Sequence, residues 1–139
     1  MAAEYEDIEF AFDFVSSSQP CEHEAYLNID TGETYWYTAF GDNEEELPDD
    51  IDDTSKYIAL PHKNDLGLGK RLALNFSYEF LPEEAEEIKS IFHHKGAYSK
   101  FKYILERSGK IQQWYNYEKE EQEHALREWC AINKIELNG

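Results

Sequence analysis

Residues 23–39, His23-Glu24-Ala25-Tyr26-Leu27-Asn28-Ile29-Asp30-Thr31-Gly32-Glu33-Thr34-Tyr35-Trp36-Tyr37-Thr38-Ala39, read as a β-hairpin. Ala25, Leu27 and Ile29 alternate with Tyr26 and Asn28, the period of a half-buried strand. Asp30-Thr31-Gly32-Glu33 supplies turn chemistry, and Tyr35-Trp36-Tyr37-Thr38 favours extended backbone. The spacing predicts strands over 23–30 and 33–39. One face is aliphatic; Tyr26 and some of Tyr35, Trp36 and Tyr37 fall on the other.

Before the hairpin, Ile8, Ala11, Phe12 and Val15 recur at i, i+3, i+4 and i+7, which predicts a helix over 4–16. Glu4, Glu6 and Asp7 suit the positive end of its dipole, and Ser16-Ser17-Ser18-Gln19-Pro20 ends it. After the hairpin comes an acidic loop, 41–55. Tyr57-Ile58-Ala59-Leu60 then reads as a third strand, stopped by Pro61. From Asp65 onward the pattern is helical. Leu66, Leu68, Leu72, Leu74, Phe76 and Phe80 fill one segment, and Leu81-Pro82-Glu83-Glu84 opens another that runs to about His94. Gly96 and Ser108-Gly109 bracket a helix over 97–107, and a long helix follows from 110 to about 132. Strands and helices are segregated, so the class is α+β: an N-terminal helix, a small antiparallel sheet and a helical C-terminal half. A length of 139 residues fits one domain, 1–139. Trp36, Trp114 and Trp129 are expected to anchor its core.

All Lys and Arg residues follow Ser55, so the first 55 residues hold acids alone. Acids and bases balance in the remainder, which leaves the whole formal charge of −17 in the N-terminal segment. A field of one sign selects partners. It disfavours nucleic acid, which is held by Lys and Arg, and anionic membranes. It favours a basic protein. The candidate partner-binding residues are Asp42, Glu44, Glu45, Glu46, Asp49, Asp50, Asp52 and Asp53, whose carboxylates could imitate backbone phosphates. Ten Tyr residues suit interfaces.

A competing site lies in the basic stretch 89–110. Lys95, Lys100 and Lys102 surround Gly96, which would open a helix with free N–H groups for an anion. Tyr98 and Phe101 could stack on bases, which makes this a nucleic-acid or phosphate candidate. An unrecognised enzyme is the weaker alternative. No nucleotide-binding, zinc-protease or nucleophile-elbow motif occurs. His93 and His94 point to different sides of a helix, and 41–55 lacks the ligand order of a calcium loop. No metal or cofactor is expected. The N-terminus has no signal-peptide pattern, and no apolar run reaches membrane-spanning length. Cys21 and Cys130 are expected as reduced thiols in a cytoplasmic protein.

Three segments carry a family resemblance: Tyr26-Leu27-Asn28-Ile29-Asp30-Thr31-Gly32-Glu33, Lys95-Gly96-Ala97-Tyr98-Ser99-Lys100-Phe101-Lys102, and Trp114-Tyr115 followed by Trp129. In order and spacing they resemble an uncharacterised bacterial family, uncharacterised protein family 0158. Its members are small acidic proteins with a YLD-x-x-TGE hairpin, a KGAF-x-x-F segment and a WY helix. The resemblance covers most of residues 5–137. Asn28 stands where that family has Asp, and Tyr98 where it has Phe. The resemblance implies a shared fold and a bacterial cytoplasmic setting, and no activity.

Overall fold

The structure, a computed structural model, describes residues 2–41, 43 and 46–138. Its elements in chain order are β1 (Ala2–Glu4), α1 (Tyr5–Ser16), β2 (His23–Asn28), β3 (Thr34–Thr38), β4 (Tyr57–Ala59), a 3-10 turn at Lys63–Leu66, α2 (Lys70–Phe80), α3 (Ala85–Ile91), α4 (Ala97–Arg107), α5 (Ile111–Ile132) and β5 (Glu136–Asn138). This is the α+β class expected from the sequence. Two compact units form: Met1–Leu66 with Ala125–Gly139, and Gly67–His124. Helix α5 contributes residues to both. No helix among the described residues is long and apolar enough to cross a membrane.

The first unit holds an antiparallel sheet of order β3-β2-β4 and a parallel pair, β1-β5. Central strand β2 buries Ala25 and Leu27, and α1 packs on it with Ile8, Ala11, Phe12 and Val15 buried. Full burial of a side chain such as Phe12 or Leu27 contributes about 1.5–3 kcal/mol. The hairpin turn is longer than the sequence implied, covering 29–33. Asn28 Oδ1 accepts the N–H groups of Asp30 (2.8 Å) and Thr31 (3.1 Å), so the chain leaves β2 at Asn28. Gly32 then adopts φ 78°, which closes the turn. An Asp carboxylate could accept the same bonds.

Register separates the two faces. His23, Ala25 and Leu27 oppose Thr38, Trp36 and Thr34, whereas Glu24 and Tyr26 oppose Tyr37 and Tyr35. Trp36 therefore shares the aliphatic face, but on an edge strand it reaches the surface and is 40% exposed. The expectation that Trp36 anchors the core is corrected. It stacks on Phe14 at a centroid distance of 4.8 Å, and Phe14 stacks on His23 at 4.5 Å. Trp129 is half-buried and Trp114 fully buried.

His62, 5% exposed, ties the segment after β4 back to the end of α1. Its Nδ1 accepts the Asn64 N–H (3.0 Å), so Nε2 carries the proton and donates to Ser18 O (2.8 Å). Cys21 is exposed and Cys130 buried, and both are free thiols. Burial pushes the Cys130 thiol up to about 11, which keeps it protonated and unreactive.

The Gly67–His124 unit is helical and closes on an aromatic core. Phe76 meets Trp114 edge to face (5.3 Å), Trp114 meets Phe101 likewise (5.0 Å), and Phe80 lies 4.8 Å from Phe76. Leu72, Leu81, Ile88, Ile104 and Leu105 fill the space around these rings. Buried Ser77 returns its hydroxyl to Ala73 O (2.7 Å), so no polar group is stranded there. Phe76→Ala removes a ring with three aromatic neighbours. It is expected to lower stability by about 3–5 kcal/mol in urea unfolding, with altered Trp114 fluorescence; a loss below about 1 kcal/mol would mean that the ring cluster is not the core of this unit.

Candidate functional site

All but one of the formal charge of −17 lies in the Met1–Leu66/Ala125–Gly139 unit. Within that unit its carboxylates find few cations. Lys56 Nζ lies 3.0 Å from Asp50 Oδ2. Tyrosines also pair with these acids. The hydroxyls of Tyr26, Tyr35 and Tyr57 donate to Glu24 (2.9 Å), Glu33 (2.9 Å) and Asp50 (3.1 Å), and that of Tyr5 more weakly to Glu9 (3.4 Å). A neutral donor stabilises a carboxylate without cancelling its charge. The unit keeps its field while its acids are held in place.

The acidic loop is folded by the same means. Asp50 accepts from both Lys56 and Tyr57, and Asp53 accepts from the Ser55 N–H (2.9 Å) and hydroxyl (2.6 Å). Backbone turns, Asp53 N to Asp50 O (2.8 Å) and Tyr57 N to Asp53 O (3.0 Å), carry the chain into β4. Of the candidate acids, Asp50 and Asp53 thus have structural partners, while Glu46, Asp49 and Asp52 are exposed. Asp42, Glu44 and Glu45 lie outside the described residues. Burial raises the Tyr26 hydroxyl to about 12, with the Glu24 bond and the nearby Asp52 charge adding to the shift.

A feature that the sequence reading did not reach is an open hollow of about 600 Å³, lined by Ala3, Glu4, Asp7, Thr31, Gly32, Glu33, Thr34 and Tyr35. The start of α1 forms one wall and the hairpin turn with the start of β3 the other. Three acidic residues and a tyrosine line it, with no basic residue in the lining. Glu4 also accepts from the Asn138 amide (3.3 Å) across the β1-β5 pair. In sequence these acids look like a helix start and a turn. Only the fold of the hairpin against α1 brings them together. Their chemistry suits an ammonium or guanidinium group.

The basic stretch is placed differently. Gly96 caps α4 in a left-handed conformation, φ 73°. Phe101 is completely buried in the core, so its ring is not available to a base. Lys100 and Lys102, two residues apart on α4, point to different sides. Lys100 lines a groove with Tyr103 and Arg107, while Lys102 lies over the Tyr115 ring at 6.0 Å. Tyr98 packs edge to face on Phe92 (5.1 Å) and is 41% exposed. Lys95 is exposed. Phe101 thus drops out of the candidate set, and Lys100 and Lys102 do not share one face of α4. Among the described residues no group of three His, Cys, Asp or Glu side chains could hold a metal ion.

No family model, no curated protein and no solved structure matches this chain.

The loop clasp has a defined pH response. Hydrogen bonds from Lys56, then from Tyr57, hold the Asp50 carboxyl below its ordinary 3.8. A depressed carboxyl contributes above its unfolded value and stops contributing as pH falls through its folded one. Amide exchange at Asp53–Tyr57 is expected to quicken as pH drops below 3.8, after correction for intrinsic rates. In Asp50→Asn it is expected to be fast at neutral pH. Equal protection in the variant and the parent would show that Asp50 does not hold the loop.

Proposed function

We propose that this chain is a non-catalytic interaction protein whose acidic unit binds a basic protein segment. The observation that carries this reading is the hollow at Glu4, Asp7 and Glu33, open to solvent in a unit that holds nearly all of the net charge. A Lys or Arg side chain entering it would meet carboxylates from two walls at once. The acids of 42–53 extend the same field beyond the hollow and would speed encounter with a positive partner. The setting is the bacterial cytoplasm that the family resemblance implies. Nucleic acid or phosphate is the competing ligand class. It loses ground because Lys100 and Lys102 diverge and Phe101 is buried.

Fluorescence anisotropy with a labelled oligolysine peptide tests the reading. The parent protein is expected to bind with an affinity that falls steeply with salt. Glu4→Gln/Asp7→Asn/Glu33→Gln is expected to bind about ten-fold more weakly, each exposed charge pair supplying about 0.2–1 kcal/mol. Glu46→Gln/Asp49→Asn/Asp52→Asn should flatten the salt dependence with a smaller loss. Unchanged affinity in both variants, or preferential binding of a labelled oligonucleotide, would sink the proposal.

A further inference from the structure

Strand β3 is an edge strand, and its outer side can be assigned from the ladder. In an antiparallel pair, alternate residue pairs exchange backbone hydrogen bonds, and the pairs between them turn N–H and C=O outward. Ala39 N donates to Glu22 O (2.8 Å) and Asn28 N to Glu33 O (2.8 Å), which fixes the phase at both ends. Counting by twos, Tyr37 and Tyr35 bond to β2. Thr34, Trp36 and Thr38 then present their backbone groups away from it. Asn43 confirms the phase. Its Oδ1 accepts the Thr38 N–H (2.7 Å) and its Nδ2 donates to Thr38 O (3.3 Å). The side-chain amide takes the place that a peptide group of an added strand would take.

The Asn43 pairing stops at Thr38. Thr34 and Trp36 have no such partner among the described residues. Natural edges are blunted by Lys, Pro, bulges or short length. The opposite edge, β4, is three residues long and is bounded by Lys56 and Pro61. Strand β3, Thr-Tyr-Trp-Tyr-Thr, has five residues and none of these devices. Its aromatic side chains are ready contacts: Trp36 on one face, backed by Phe14, and Tyr37 on the other. Phe40, 69% exposed, lies just past its end.

We propose that the β3 edge receives an extended, basic segment of a partner protein as a fourth strand, paired with the backbone of Thr34 and Trp36. This rests on the basic-partner reading above and adds the mode of binding. Charge complementarity selects the occupant. The edge begins at the acidic hollow, where Thr34 and Tyr35 are also lining residues, so a Lys or Arg near one end of the added strand falls within reach of Glu33. A second copy of this chain is the poorer occupant, because it would bring an equal negative charge to the same edge.

The test uses the full chain and an acetylated, amidated peptide of alternating Lys and Val, long enough to span β3. Its counterpart N-methylated at every residue keeps the charge and side chains but lacks the backbone N–H donors that a strand needs. The Thr34→Pro variant removes one outward N–H and leaves the acids and aromatic residues in place, and Pro is tolerated on an edge strand. The expected result is about ten-fold weaker binding of the methylated peptide, and of the parent peptide to Thr34→Pro, with slowed amide exchange at Thr34 and Trp36 on binding. If circular dichroism shows that Thr34→Pro has not folded, the amide exchange of the parent protein decides alone. Equal binding of both peptides with no protection at Trp36 would overturn edge docking and leave the basic-partner reading standing. Binding of neither peptide at low salt would overturn both. Protection of Trp36 in a peptide-free dimer would assign the edge to a second copy and overturn the proposal.

Discussion

Strand β2 is the constraint on which the acidic unit depends. Among the described strands it alone pairs on both sides, with β3 and β4, and it places two nearly inaccessible aliphatic side chains, Ala25 and Leu27, under α1. A one-residue slip would carry Ala25 and Leu27 to the other face and bring Glu24 and Tyr26 under the helix. That would bury a carboxylate in a unit with few cations to meet it, a penalty well above the cost of an ordinary lost contact. The Asn28 turn at one end of β2 and the Ala39–Glu22 bond at the other hold the register that keeps Glu24 in water.

That register also explains the tyrosines. With Glu24 and Tyr26 on one face, opposite Tyr37 and Tyr35, the hydroxyls of Tyr26 and Tyr35 each reach a carboxylate two residues back in the chain, Glu24 and Glu33. Tyr57, on the far edge, reaches Asp50 seven residues back in the acidic loop. A lysine at these places would neutralise charge. A tyrosine orders the carboxylate, buries its ring beside the neighbouring ring, as Tyr35 does against Tyr57 at 6.0 Å, and leaves the field intact. The composition is therefore coherent: a chain rich in both acids and tyrosine can be compact and strongly negative at once.

Much of this architecture was legible in the sequence because it is written in short-range periodicity. The helix over 4–16, the hairpin, the strand before Pro61 and the breaks at Gly96 and Gly109 all agree with the structure to within a few residues. What was not legible depends on long-range placement. The β1-β5 pair joins Ala2–Glu4 to Glu136–Asn138, and two three-residue strands carry no period to detect. Trp36 looked like a core residue from its chemistry, and only the strand order shows that it stands at an edge. The hollow is legible least of all. Glu4 and Asp7 satisfy a helix dipole in any reading of the sequence, and nothing local says that Glu33 will face them. The loop acids, by contrast, were conspicuous, yet two of them, Asp50 and Asp53, are engaged in building the loop itself.

The charge and the β3 edge, whose Thr34 and Trp36 backbone groups have no outward partner among the described residues, make physical sense together. An unprotected edge strand of β-prone, aromatic residues invites pairing with any extended chain, its own copies included. Most proteins answer this locally, by placing a Lys or a Pro on the edge. Here strand β3 has neither, but the unit around it is strongly negative, and two such units brought edge to edge would repel each other over the whole approach. The same field attracts a positive strand. A local block would close the edge to every partner, whereas a charge of one sign closes it to copies of this chain and to acidic chains while leaving it accessible to basic ones. On the proposed basic-partner reading, repulsion of like chains and attraction of basic ones then come from a single property. Lys and Arg are missing throughout the segment that contains β3, although they are plentiful after Ser55. One basic side chain on that edge would weaken both effects at once.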